Sequence, residues 1–287
     1  TFHWRMDVPY ANQLTAMVVG EYLDITQTYE GVTLHNFSYL REREATTASV
    51  ERLPDMMKFF SEKTGVKYPY KNYSQVFVQD LPWGIGYNTI STQSENMVDD
   101  RGTHHDFLYL WDALEGETMA AQWFGNYVTY RDWNDVWLSK GFGIYFSRLY
   151  NEYKNGHSEF LLYTPAGSDL NTYLWEWNNG LRHPIVTRDY ENPIVFATYD
   201  NYPTLRGGLV LHMLRKHLGE ETWRRAINLY LERNANRFVT TEDLRKAVED
   251  ASGEPMDWFF DQWIYKMGHP VFGVSKSYDA TLQQLTL

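Results

Sequence analysis

A change of hydrophobic period near Ala45 constrains this chain more than any other single feature. Before it, short β-branched stretches bounded by turn residues read as strands, in Gln13-Leu14-Thr15-Ala16-Met17-Val18-Val19-Gly20 and in Gly31-Val32-Thr33-Leu34. After it, Val50, Leu53, Met56, Met57 and Phe60 recur at three- and four-residue steps, the spacing of one buried helix face, and Gly65 supplies a stop. Gln75-Val76-Phe77-Val78 returns to a strand, and helices then run from about Leu114 to Phe124 and from about Trp137 to Glu152. Residues 153–200, rich in Asn, Gly, Asp and Pro, carry only helical islands. From Gly207 the helices are clear again: Leu209 to Leu214, Glu221 to Arg233, and Thr241 to Ala251, the last with Thr240 or Thr241 as N-cap and Gly253 just past its end. A final helix carries Trp258-Phe259-Phe260 and Trp263-Ile264, and after Pro270 the alternation of Val271, Gly273 and Ser275 resumes a strand that stops at Leu287. The order is strands, then mixed elements, then helices, as in a chain of the α+β class.

Composition narrows what such a fold can do. With 287 residues, 43% of them hydrophobic and 17% aromatic, the chain is long enough to bury a cooperative core. No stretch reaches the roughly 20 consecutive apolar residues of a membrane span, and the mean hydropathy is -0.52. The net charge of -11 disfavours nucleic acid as a partner, because an acidic surface repels phosphate backbones. The densest basic cluster, Arg215-Lys216-His217, reads as a solvated helix face. There is no cysteine, so disulfides, thiolate metal sites and thiol nucleophiles are all excluded. The chain opens at Thr1 without a Met or a leader-like apolar run, which reads as a piece of a longer protein.

The chemistry concentrates in Glu117-Thr118-Met119-Ala120-Ala121-Gln122-Trp123-Phe124-Gly125-Asn126, followed by Val136-Trp137-Leu138-Ser139-Lys140-Gly141-Phe142. This pair of segments resembles the signature of the gluzincin zinc aminopeptidases, H-E-x-x-H-x-W-F-G-N followed by W-L-N-E-G-F, in which 18 residues separate the second His from the ligand Glu. The same 18 residues separate Ala121 from Lys140. The resemblance implies a thermolysin-like, zincin-type α+β catalytic domain, with a mixed sheet packed on the helices that carry Glu117 and Lys140 and then a helical layer. In such a motif two imidazoles at i and i+4 on one helix face and a Glu from the next helix hold Zn²⁺, and the Glu after the first His deprotonates its water. Here those positions are Glu117, Ala121 and Lys140 for the ligands and Thr118 for the base. Ala cannot ligate, a protonated Lys repels a cation, and Thr is too weak a base at neutral pH.

The resemblance extends to two further landmarks. The family's G-x-M-E-N loop, whose Glu binds the substrate amino terminus, aligns with Gly84-Ile85-Gly86-Tyr87-Asn88 and puts Tyr87 at the Glu position. Its transition-state Tyr opens a Y-E-K-G motif that aligns with Thr204-Leu205-Arg206-Gly207, so Thr204 replaces it, with Tyr202 two residues away and Arg206 at the motif's third position. His3-Trp4-Arg5-Met6-Asp7, Phe59 to Gly65 with Tyr68-Pro69-Tyr70, and Trp258 to Trp263 with Gly268-His269-Pro270 resemble other family elements. The implied organisation is the end of an N-terminal β domain over 1–45, a thermolysin-like subdomain over 46–200, a helical subdomain over 201–269 and the start of a further β domain over 270–287.

On this reading the family's zinc is lost, no cofactor is expected, and Tyr87, Glu117, Ala121, Lys140, Tyr202 and Arg206 line what remains of the cleft. Glu117 and Lys140 are expected to form a buried ion pair in place of the metal, whose disruption would cost about 3–5 kcal/mol. His104-His105-Asp106 is weighed as a second metal site and set aside because adjacent strand residues face opposite ways. Glu115 with Glu117 offers a weak hard-ion site at most. Tyr127, Tyr130 and Trp133 read as packing residues, and the sequons at Asn36 and Asn72 as chance. Three functions stay open: a non-catalytic domain that holds a peptide or protein partner, an active zinc aminopeptidase with atypical ligands, and a structural domain of a larger chain. An open, partly apolar pocket would favour binding, and a cleft filled by side chains such as Tyr87 a structural role.

Overall fold

Leu23–Tyr29 (LDITQTY) alternates inward and outward side chains and pairs antiparallel with Val32–Ser38 through a tight turn at Glu30 and Gly31, both at positive φ. These are strands β1 and β2 of the computed structural model, which describes residues 5–163 and 167–286. Asn72–Val78 (β3), Ile85–Tyr87 (β4) and Ile90–Ser94 (β5) complete a five-stranded mixed sheet in the order β1-β2-β3-β5-β4. The β2–β3 and β3–β5 pairs are parallel, and β4 returns antiparallel to β5 at one sheet edge.

Helices cover the sheet and then build a layer of their own. Arg43–Ser49 (α1) and Leu53–Thr64 (α2) precede β3. In α2 Met56, Met57, Phe60 and Thr64 face the core, Pro54 sits in the first turn, and Gly65 at φ 70° closes the end. Arg101–Asp106 (α3), Leu108–Ala120 (α4) and Trp137–Asn155 (α5) follow β5, with Val128–Tyr130 (β6) between α4 and α5. His157–Tyr163 (α6), Ser168–Asn178 (α7) and Pro193–Tyr199 (α8) are the islands of the Asn-rich region. A π turn at Tyr202–Arg206 leads into Gly207–Leu218 (α9) and Glu220–Arg233 (α10). Arg237–Val239 (β7) pairs parallel with β6, and Thr241–Ser252 (α11) then opens on a reciprocal capping box between Thr240 and Asp243. Asp257–Phe260 (α12), a second π turn at Asp261–Tyr265, and the hairpin of Ser277–Asp279 (β8) with Gln284–Thr286 (β9) end the described chain. No helix among the described residues is long and apolar enough to cross a membrane.

One aromatic-rich core joins sheet and helices. Phe124 of the turn after α4 stacks on Phe142 of α5 at 4.3 Å, and Phe142 in turn lies parallel to Tyr230 of α10 at 6.1 Å. Phe60, Trp123 and Phe146 meet edge-on around them, so α2, α4, α5 and α10 share a single buried nucleus.

Several sequence expectations fail for identifiable reasons. Gln13 to Gly20 is no strand: Asn12–Leu14 forms a 3₁₀ turn, and Met17 and Val19, 86% and 85% exposed, have no sheet to pack against. The C-terminal strands fall at 277–279 and 284–286 rather than at Val271 to Ser275. His104 and His105 lie on helix α3, started by the Asp100 side chain, so the strand premise used to set them aside does not hold. Their ring directions still differ, since His104 is buried and His105 exposed. His3, Trp4 and Leu287, on which parts of the N-terminal resemblance and of the last strand rested, lie outside the described residues.

Candidate functional site: a remodelled metal motif

Small residues let α4 and α5 run close together. A Cβ on Gly116 would stand 3.1 Å from Ser147, and one on Gly143 would stand 3.1 Å from Glu117 Cγ. This proximity brings position 117 of α4 opposite position 140 of α5. Glu117 Oε1 lies 3.8 Å from Lys140 Nζ, with the side chains 26% and 37% exposed. The sequence therefore places the pair correctly, but the pair is not buried. It is a solvent-touching ion pair beyond hydrogen-bond distance, and such pairs contribute about 0–1 kcal/mol rather than the cost of a buried one.

The other motif positions lie on α4, on β4 and in the first π turn. Thr118 is buried, its hydroxyl accepting from Gln93 Nε2 at 2.7 Å and donating to the Glu115 carbonyl at 3.1 Å. Ala121 stands at the end of α4 against edge strand β4, where a Cβ on Gly86 would lie 3.0 Å from the Ala121 methyl. Tyr87 is half-buried, and its carbonyl accepts from both Gln122 Nε2 (2.9 Å) and Asn126 Nδ2 (2.7 Å). Thr204 is half-buried within the first π turn.

Tyr202 and Arg206 belong to a different cluster from the one expected. Tyr202 is fully buried, donates its hydroxyl to the Leu181 carbonyl and stacks on His183 at 4.2 Å. Arg206, also buried, donates to the carbonyls of His183, Lys266 and Gly268 at 3.1–3.2 Å and lies over the rings of Tyr173 and Tyr202. Its donors are spent on holding the second π turn and the following loop to α9. The hydrogen-bond partners of Arg206 are backbone carbonyls, brought together by the fold from sequence positions up to 62 residues away.

The unaltered motif residues have structural work. Gln122 accepts from the Thr89 amide at 3.0 Å while donating to Tyr87, which pins the β4–β5 turn to the end of α4. Trp123 is buried and donates its indole N–H to the Val66 carbonyl at 2.9 Å. Gly125 adopts φ 131°, a conformation that disfavours side chains, and a Cβ there would strike Ser139 Oγ at 2.5 Å. Trp137 donates to Thr241 Oγ1 at 2.8 Å, and Gly141 packs directly on the Gly207 backbone.

Zinc does not fit the residues at the ancestral ligand positions. One carboxylate, one methyl and one ammonium within 3.8 Å of that carboxylate offer a single donor oxygen group and a competing cation. Among the described residues no three His, Cys, Asp or Glu side chains group as a metal site. Two shallow surface depressions, of about 410 and 340 Å³, lie elsewhere: one beside Glu51, Arg101 and His104, the other beside Glu21, Tyr39 and Glu95.

Sequence reasoning missed the polar layer beneath the site. Glu115, 2% exposed, receives a hydrogen bond from Gln75 Nε2 at 3.0 Å, and burial, with a further push from Asp112, raises its pKa to about 8. A Glu amid the apolar face of α4 and a Gln in the middle of β3 were the available signals, since buried polar side chains in such positions require partners.

A mixed sheet whose edge strand β4 lies against the end of α4, with the Gln122-Trp123-Phe124-Gly125-Asn126 and Trp137-Leu138 segments joining α4 to α5, fits a peptidase-class domain. The chain belongs to peptidase family M1, whose domain matches residues 48–263. It is 32% identical to Aminopeptidase M1-D of Oryza sativa subsp. japonica over 94% of this chain and 31% of that protein. It is 25% identical to Aminopeptidase N of Streptomyces lividans over 90% of this chain and 31% of that protein, and 25% identical to the rice Aminopeptidase M1-C over 99% and 33%. The chain thus spans about a third of the length of these curated relatives.

Proposed function

We propose that this is a catalytically silent aminopeptidase domain of thermolysin-like architecture, retained to hold a peptide or protein partner or to scaffold the remainder of a longer chain. The observation that carries the reading is the division of labour within the motif. Gln122, Trp123, Gly125, Trp137 and Gly141 keep their packing and hydrogen-bonding roles, while positions 117, 118, 121 and 140 have exchanged metal-binding and proton-transfer groups for an ion pair, a buried hydroxyl and a methyl. The loss of an acid at Tyr87 and of a phenol at Thr204 removes the amine-binding and transition-state groups that the family resemblance implies.

The organisation that goes with this reading is the one drawn from the sequence: 1–45 leading in, a thermolysin-like subdomain over 46–200, a helical subdomain over 201–269 and the opening of another β domain from 270. The test is turnover of aminoacyl-anilide substrates with and without added zinc. No activity above the uncatalysed rate supports the proposal, and zinc-dependent turnover would overturn it.

A further inference from the structure

The polar layer under α4 contains an arrangement that the family motif does not account for. Gln75 projects from the central strand β3 and is fully buried. Its Nε2 donates to Glu115 Oε1 at 3.0 Å, yet its own carbonyl oxygen, Oε1, has no partner. Glu115 lies two residues before Glu117 on the helix that bears the remodelled motif. Among the described residues no cation pairs with it. On its own helix Asp112 acts on it as a like charge and is itself held at 2.5 Å by Arg52. From β3 the titratable neighbour is Tyr73, whose hydroxyl is engaged with Ser91 Oγ at 2.9 Å, and β5 contributes the neutral Gln93. Helix α5 approaches at Gly116 through Ser147, which carries no charge.

A buried amide with one donor used and its acceptor orphaned, beside a buried carboxyl group with no counter-ion, has a simple resolution. We infer that Glu115 keeps its proton in the native fold and donates it to Gln75 Oε1, so that the two side chains form a doubly hydrogen-bonded acid–amide pair joining the sheet to the site helix. The pair satisfies the orphaned carbonyl and removes an unpaired buried charge. It makes the contact between β3 and α4 a latch that depends on one proton.

The sign of the pH dependence follows. The native group titrates near pH 8, whereas in the unfolded chain it titrates near 4.5, so the native state holds the extra proton between these values. Stability therefore falls as pH rises from about 4.5 to about 8 and levels off above, where native and unfolded states both carry the charge.

The test uses the whole chain and Glu115→Gln, which replaces the acid by an amide of the same shape that can still exchange two hydrogen bonds with Gln75. Melting temperatures of both proteins are measured across this pH range. The expected result is a Tm advantage of Glu115→Gln that widens with rising pH and becomes constant above pH 8. A difference that stays flat, or that reverses so the variant is less stable at the alkaline end, would overturn the inference. The ¹³C carboxyl shift of Glu115 in the unaltered protein gives a second readout that does not depend on the variant's folding. A protonated shift at neutral pH supports the pair, and an ionised one refutes it.

Discussion

The Lys140 ammonium stands 3.8 Å from the Glu117 carboxylate, across the contact between α4 and α5. In the family signature both positions supply ligands to one dication, and here they carry opposite unit charges facing one another. Because both side chains reach solvent, water screens their attraction, and the pair contributes little to stability.

That assessment has a measurable size. Coupling between Lys140→Met and Glu117→Gln in a double-mutant cycle is expected to be at most about 1 kcal/mol, as for exposed ion pairs. For a chain of this length Lys140→Met alone would then shift Tm by no more than about 2–4 °C. Coupling well above that, measured by urea unfolding of the four proteins, would show the pair to be shielded from water.

Arg206 is the opposite case. Arg206→Met leaves the carbonyls of His183, Lys266 and Gly268 buried without their donor, and a loss of about 2–4 kcal/mol is expected in equilibrium unfolding. An unchanged unfolding midpoint would mean that water replaces the guanidinium.

Gly141 and Gly207 meet backbone to backbone, and a Cβ on Gly141 would lie 3.1–3.2 Å from Gly207 and the Pro203 carbonyl. Gly141→Ala gains helix propensity of up to about 1 kcal/mol but forces α5 away from the π turn, so a net loss of about 1–2 kcal/mol is expected. A stabilised variant in thermal unfolding would show that the contact has slack.

His183 supplies a second pH dependence. Burial pulls its pKa down, but the Asp200 carboxylate 2.8 Å from Nε2 and the Pro184 carbonyl 2.7 Å from Nδ1 outweigh this and leave it above 6.5. A raised native pKa means that the contribution is complete below 6.5 and is lost as pH climbs through the native value. The Tm advantage of the unaltered protein over His183→Gln should therefore shrink on passing from acid to alkaline buffer. An advantage constant with pH would show that the fold does not shift the His183 pKa, and one that grows toward alkaline buffer would show that His183 is neutral in the fold.

Much of this architecture was legible because its signals are local. The three- and four-residue spacing in α2, the caps of α11 and the long apolar stripe of α5 each follow from neighbouring residues. The motif register likewise put residues 117 and 140 together before any coordinates. What was not legible depends on distant partners. Val19 and Met17 look like strand residues until no neighbouring strand is there to pair with them, the three carbonyls that converge on Arg206 lie 23 to 62 residues away in sequence, and Glu115 reads as half of a weak hard-ion site with Glu117 until Gln75 of β3 proves to be its partner. Burial of Lys140 was overestimated for the same reason: the spacing fixes who meets, not how much water attends the meeting.

Restoring the ligands asks whether the scaffold has kept its geometry. The triple variant Glu117→His, Ala121→His and Lys140→Glu is expected to bind zinc and to gain about 2.7 kcal/mol of stability, read as a higher melting temperature, when free metal is a hundredfold above the dissociation constant. No zinc-dependent shift would mean that α4 and α5 no longer hold these positions in ligand geometry.

The most direct measurement is the zinc content of the unaltered protein, purified without chelators and assayed by elemental analysis, with aminoacyl-anilide turnover recorded on the same sample. The account predicts zinc far below one equivalent and no turnover above the uncatalysed rate. One equivalent of zinc with turnover would contradict it, and would mean that ligands other than positions 117, 121 and 140 build a working centre in this fold.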